Sequence, residues 1–166
     1  RDNPVQIVEK YSEWANDYQE NQVTLIYDTM WNGTKRLAEM IAEGISSVSP
    51  DTVVKVFNVT KTDENDLITE VFKSKAVLVG SPTFYNTCMH TMEGFIHLVK
   101  ALKFKNKKAA AFGCYGWTGE SAKILRGLME DAGFEIIGDD HRAMWAPDEA
   151  ALKDAFLYGQ EIAKKL

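Results

Sequence analysis

The sequence predicts an α/β fold in which a parallel sheet is covered on both faces by helices. Two observations carry this. From Val23 onward, short apolar runs alternate with longer amphipathic stretches, the pattern of repeated β-α units. The runs Ala76-Val77-Leu78-Val79-Gly80 and Ala109-Ala110-Ala111-Phe112-Gly113 are apolar at every position. A strand needs that only when both of its faces are buried.

Taken in order, Asn3 and Pro4 read as the N-cap and first residue of a short helix, with Gln6 near the capping-box position. Ile7, Tyr11 and Trp14 fall on one stripe of that helix. The polar stretch 16–22 reads as a lead-in outside the sheet. Strands are then expected over 23–27, 53–58, 76–80 and 108–113, and a strand-like run over 135–144. Helices are expected over 34–46, 64–73 (begun by Asp63), 89–102, 119–132 (stopped by Gly133) and 148–164 (after Pro147). Connections between parallel strands of one sheet are right-handed crossovers, so the alternation winds helices onto both faces.

Composition narrows the class. The 166 residues suit one domain with a proper core, and 45% hydrophobic with 26% charged residues is ordinary for a globular protein. A net charge of −5 with interspersed signs carries no basic nucleic-acid footprint. No apolar run approaches the ~20 residues needed to span a bilayer, and no signal peptide opens the chain. Cys88 and Cys114 do not make a disulfide framework, which fits a reduced, cytoplasmic setting; a bridge between the two stays open at this stage. The chain opens on Arg1 rather than Met, so a domain cut from a longer protein is expected.

Ligands of such sheets sit beyond the carboxyl ends of the strands. Three loops of unusual composition end there. The first, Thr29-Met30-Trp31-Asn32-Gly33-Thr34, joins a strand to a helix and brings hydroxyls to a helix N-terminus, a site suited to phosphate. The second is Ser81-Pro82-Thr83-Phe84-Tyr85-Asn86-Thr87, and the third Gly113-Cys114-Tyr115-Gly116-Trp117-Thr118-Gly119. Each joins small or hydroxyl residues to aromatics. A phosphate cradle beside two aromatic loops suits a phosphate on a planar ring, and so flavin mononucleotide (FMN). His90, His97 and His141 lack accompanying carboxylates and do not predict a metal site. No second nucleotide motif of the Gly-x-Gly-x-x-Gly kind points to a nicotinamide-dependent quinone reductase. Asp28 is the only acid near these loops before Glu120, against the acidic cluster of a receiver-type interaction module.

The segments YDTMW with Thr34, VGSPTFYN and AAFGCYGWTGE, in this order and spacing, resemble the carboxy-terminal flavodoxin domain of the flavodiiron proteins. The resemblance covers essentially the whole chain. It implies a flavodoxin-like doubly wound sheet of five parallel strands in the order 2-1-3-4-5. It also implies that 1–22 is a linker helix from an upstream diiron domain and that 23–166 is the FMN-binding domain. Thr29, Met30, Trp31, Asn32, Gly33 and Thr34 would wrap the FMN phosphate. Ser81, Pro82, Thr83, Phe84, Tyr85 and Asn86 would line the ring. Gly113, Cys114, Tyr115, Gly116, Trp117 and Gly119 would hold the pyrimidine side and ribityl chain.

The chain departs from the family at several of these positions. Cys114 stands for a usual serine, Tyr85 and Thr87 for an asparagine and a glycine, and His90 for a proline. These bear on ring contacts and flavin potential more than on FMN binding. Cys114 and Cys88 are expected to be inert buried thiols rather than redox groups.

By the same resemblance the domain is an electron-transfer module with no catalytic side chain of its own. It would receive electrons from rubredoxin or a related reductase. It would pass them to the diiron site of the same or a neighbouring subunit in a homodimeric or homotetrameric oxidoreductase that reduces O2 or NO. The HxExDH motif of that diiron centre is absent from this chain. A free-standing flavodoxin-type carrier is the alternative, which the missing initiator Met disfavours.

Overall fold

A computed structural model describes residues 4–166, so the expected N-cap Asn3 lies outside the described residues. The elements run α1 (Pro4–Ala15), β1 (Glu20–Tyr27), α2 (Gly33–Val48), β2 (Val53–Asn58), α3 (Glu64–Lys73), β3 (Ser74–Gly80), α4 (His90–Leu102), β4 (Lys108–Tyr115), α5 (Ser121–Asp131), β5 (Glu135–Ile136), β6 (His141–Met144) and α6 (Glu149–Ala163). The sheet order is β2-β1-β3-β4-β5, with β6 also on β4, and every pairing is parallel. The order reverses between β1 and β3.

The side-chain period of 2 divides the core into two layers. Val23, Leu25 and Tyr27 of β1, Leu78 of β3 and Phe112 of β4 pack with Leu37, Ile41 and Ile45 of α2 and with α6. Ile26, Val77, Val79, Ala109 and Ala111 face the other way, onto α3, α4 and α5. Asp63 caps α3 through the Asn65 N–H at 2.9 Å, and Asp148 caps α6 through the Ala151 N–H at 2.9 Å.

Two expectations are corrected. The polar lead-in reaches into the sheet: Glu20 pairs with Ser74 and Gln22 with Val53. Gln22 is buried there because its amide donates to Glu70 Oε2 at 2.8 Å and to the Thr24 and Ser74 hydroxyls at 3.1 Å. The single strand over 135–144 is two. Gly138, at φ 93°, breaks it, so β5 pairs with the start of β4 and β6 with its end. The helix α1 lies outside the core, with no buried residue, and Trp14 meets Phe72 edge-on at 6.3 Å.

Two helical glycines have unused space. A Cβ on Gly94 in α4 or on Gly127 in α5 would meet nothing within 4 Å. Gly94→Ala and Gly127→Ala should each stabilise the fold by roughly 0.5–1 kcal/mol, because alanine loses less backbone entropy in a helix. Urea titration checks this as a raised midpoint at unchanged slope.

Lys107, just before β4, is a buried cation at the end of the sheet away from the loops. Its ammonium donates to the carbonyls of Ser74 at 2.7 Å, Phe72 at 2.8 Å and Tyr18 at 3.4 Å. Burial lowers its pKa from 10.5 to about 8. Between those values the unfolded chain holds more protons than the folded one, so this group makes stability rise with pH. The stability difference between wild type and Lys107→Met should therefore shift in favour of wild type between pH 8 and 10. Paired denaturant melts across that range check it; a flat difference contradicts the depressed pKa.

Candidate functional site

At the carboxyl end of the sheet, around the β1/β3 reversal, the loops enclose a cleft of about 670 Å³. Its floor is the N-terminus of α2. Asn32, the N-cap, has φ 62° and makes no side-chain cap, so it leaves the first amides of α2 for an incoming acceptor. Two threonine hydroxyls converge on the same end. Thr29 Oγ1 and Thr34 Oγ1 are buried and have no hydrogen-bond partner. Thr34 has the weakly polar Cys114 thiol beside it, and burial pushes that thiol up to about 11. A buried hydroxyl without a partner costs stability. Two of them at an uncapped helix start fit an anion with several acceptor oxygens, as a phosphate monoester has.

The second loop forms one wall. Phe84 and Thr87 exchange backbone hydrogen bonds at 2.8 and 3.0 Å around Tyr85 and Asn86, which have φ of 54° and 60°. Positive φ at both central residues is the type I′ turn, an uncommon place for a tyrosine. It holds the Tyr85 ring almost wholly in solvent, at 90% exposure. The second loop is tied to the third through the Thr83 N–H, which donates to the Cys114 carbonyl at 2.8 Å.

The third loop forms the opposite wall. Trp117, 83% exposed, meets Trp145 edge-to-face at 5.1 Å. Trp145 follows β6, is anchored by its N–H to the Tyr115 carbonyl at 2.7 Å, and lies 3.5 Å from where a Gly116 Cβ would be. No charged side chain lines the cleft among the described residues.

Of the residues named from sequence, Thr29, Met30, Trp31, Gly33, Thr34, Pro82, Thr83, Phe84, Tyr85, Asn86, Cys114, Tyr115, Gly116 and Trp117 line this cleft. Asn32, Ser81, Gly113 and Gly119 do not, for physical reasons. Asn32 is the left-handed residue that turns the chain into α2. Ser81 is fully buried, and its hydroxyl accepts the Met89 N–H at 2.9 Å. Gly113 passes so close to the second loop that a Cβ would lie 2.1 Å from the Ser81 carbonyl oxygen. Gly119, at φ 76°, runs under the Tyr115 ring. These four shape the walls without facing the space between them. Trp145 and Ala146 line the cleft and were missed. The signal was present: a loop after the last parallel strand ends at the same edge as the other three. Cys88 and Cys114 are both free and buried.

This is a doubly wound α/β domain with an uncapped, hydroxyl-lined helix start opening into an aromatic cleft at its topological switch point. The chain belongs to the flavodoxin family, whose model matches residues 25–159.

Over 165 residues it is 47% identical to the anaerobic nitric oxide reductase flavorubredoxin of Klebsiella pneumoniae and 46% identical to that of Escherichia coli K12, in both cases covering 99% of this chain and 34% of the relative. The chain thus spans about a third of the length of the curated relatives it matches. Among solved structures, the rubredoxin oxygen:oxidoreductase of Desulfovibrio gigas superposes with a TM-score of 0.92 at 30% identity, over 99% of this chain and 40% of that one. A flavodoxin from the domain Archaea superposes at 0.77 with 29% identity, over 87% and 97%. The flavodoxin domain of flavodiiron proteins binds FMN. The flavodoxin-like strand order is itself a known example of the switch-point rule, with FMN at the β1/β3 position.

Proposed function

We propose that this chain is the FMN-binding electron-transfer domain of a flavodiiron-type oxidoreductase. It would accept electrons from rubredoxin or a related reductase and pass them to a diiron site on the same or a neighbouring subunit. The observation that carries the reading is the pair of buried, unpartnered hydroxyls of Thr29 and Thr34 at the uncapped start of α2, facing an aromatic-walled cleft.

The α2 amides and the two hydroxyls would take the phosphate oxygens, with the helix dipole in place of a cationic side chain. Tyr85 on one wall and the Trp117–Trp145 pair on the other would flank the ring. Bound FMN would supply one- and two-electron redox chemistry. With no lysine or arginine lining the cleft among the described residues, the chain offers little to offset added negative charge, which favours a low flavin potential. The high exposure of Trp31, Tyr85 and Trp117 leaves the cleft rim open to a donor or acceptor protein. Residues 1–22 would lead from the diiron domain of a homodimeric or homotetrameric parent.

The relay is tested by mixing reduced rubredoxin with the FMN-loaded chain under anaerobic conditions and following flavin absorbance. Bleaching that scales with rubredoxin concentration is expected. A flavin that stays oxidised while dithionite can still reduce it contradicts the relay, with FMN binding itself intact.

A further inference from the structure

The carboxylate of Asp28 is buried at the end of β1, beside the cleft and facing away from it. The Asp28 N–H donates to the Gly80 carbonyl at 2.9 Å, which fixes the residue to the end of β3. Oδ1 accepts the Thr29 N–H at 2.8 Å, and Oδ2 accepts the Thr91 hydroxyl in the first turn of α4. The N-cap of α4, Met89, contributes no side-chain cap; its own N–H goes to the Ser81 hydroxyl at 2.9 Å. The start of α4 is therefore gripped by the first loop through Asp28 and by the second through Ser81. A carboxylate at a helix N-terminus is electrostatically favoured, which explains how an acid is kept beside a place suited to an anion.

This arrangement has a consequence for Thr29. Its backbone N–H is committed to Asp28, so what Thr29 can present to a ligand is its hydroxyl, the group left buried and unpartnered. The tethered N–H fixes the backbone from which that hydroxyl projects, and so where the hydroxyl can reach. We propose that Asp28, clasped to Thr91, is a positioning residue for the cofactor phosphate: it holds the first loop in the form that presents the Thr29 hydroxyl. The inference rests on the FMN reading above.

The test compares FMN with riboflavin, which has the same ring and ribityl chain but no phosphate, by fluorescence-quenching titration of the full 166-residue chain. The variants are Asp28→Ala, Asp28→Asn and Thr91→Val. Thr91→Val breaks the clasp from α4, outside the cleft lining. For Asp28→Ala and Thr91→Val, FMN affinity is expected to fall about tenfold, the scale of one lost charge-assisted hydrogen bond, while riboflavin affinity stays within about twofold. Asp28→Asn keeps an acceptor for the Thr29 N–H and should recover most of the FMN affinity. An equal loss for both flavins would mean that the clasp merely supports the fold. Tighter FMN binding in Asp28→Ala would mean that the charge of Asp28 opposes the phosphate more than its hydrogen bonds help. Either result overturns the proposal. If Asp28→Ala does not fold, Thr91→Val decides it alone. A wild-type chain that binds neither flavin refutes the FMN reading instead.

Discussion

Replacing Thr34 with valine should stabilise the cofactor-free chain and weaken FMN binding, two effects of opposite sign from one oxygen atom. The Thr34 hydroxyl is buried and unpartnered, and valine keeps its shape while removing the group that cannot be satisfied. Relieving such a group is worth about 1 kcal/mol here, the low end of the usual range because the Cys114 thiol lies beside it. For a domain of this size that raises Tm by roughly 2–4 °C. On the proposed reading the same hydroxyl would donate to a phosphate oxygen, a charge-assisted bond worth roughly 1.5–3 kcal/mol, so Kd for FMN should rise about 10- to 100-fold. Thermal melts of the cofactor-free chain and FMN titration read the two effects separately. A hydroxyl with a purely structural role would lower Tm when removed and leave Kd alone.

Gly44→Ala should cost about 3 kcal/mol or more and unfold a large fraction of the chain at moderate denaturant. Where α2 and α6 cross, a Cβ on Gly44 would lie 2.1 Å from the Phe156 carbonyl oxygen, and one on Gly159 would lie 2.2 Å from the Ile41 carbonyl oxygen. The obstacles are backbone atoms, so no rotamer change clears them and the helices must separate. That places the cost at the upper end for overpacking, despite the better helix propensity of alanine. Separating them opens the layer built from Leu37, Ile41, Ile45, Tyr158 and Ile162. Urea titration of Gly44→Ala beside Gly127→Ala makes the comparison direct. The same substitution in two helices should move the midpoint in opposite directions, and equal shifts would contradict the close crossing.

The sheet was legible because a parallel sheet buried on both faces writes itself as continuous apolar runs, of which 76–80 and 109–113 are the clearest. The edges were not. Gln22 reads as polar lead-in, yet side chains from α3 and β3 far along the chain satisfy its amide and make it a strand residue. The break at Gly138 needed knowledge of which partner each half of the run would find on β4. The three loops that line the cleft could be read because each combines a strand end with residues rare in plain turns. Trp145 was signalled only by following the last strand. Its place in the cleft comes from the Tyr115 carbonyl that anchors it and from the edge-to-face contact with Trp117. Ser81 and Gly113 show the converse: they sit in the right loops, but their chemistry is spent holding those loops together.

Whether these loops hold one FMN by its phosphate is read from the visible spectrum of the purified chain after FMN is added and the sample is desalted. The expected result is a flavin spectrum that stays with the protein at one equivalent and is lost when riboflavin replaces FMN under the same dilution. A colourless protein, or one that retains both flavins equally, would contradict it.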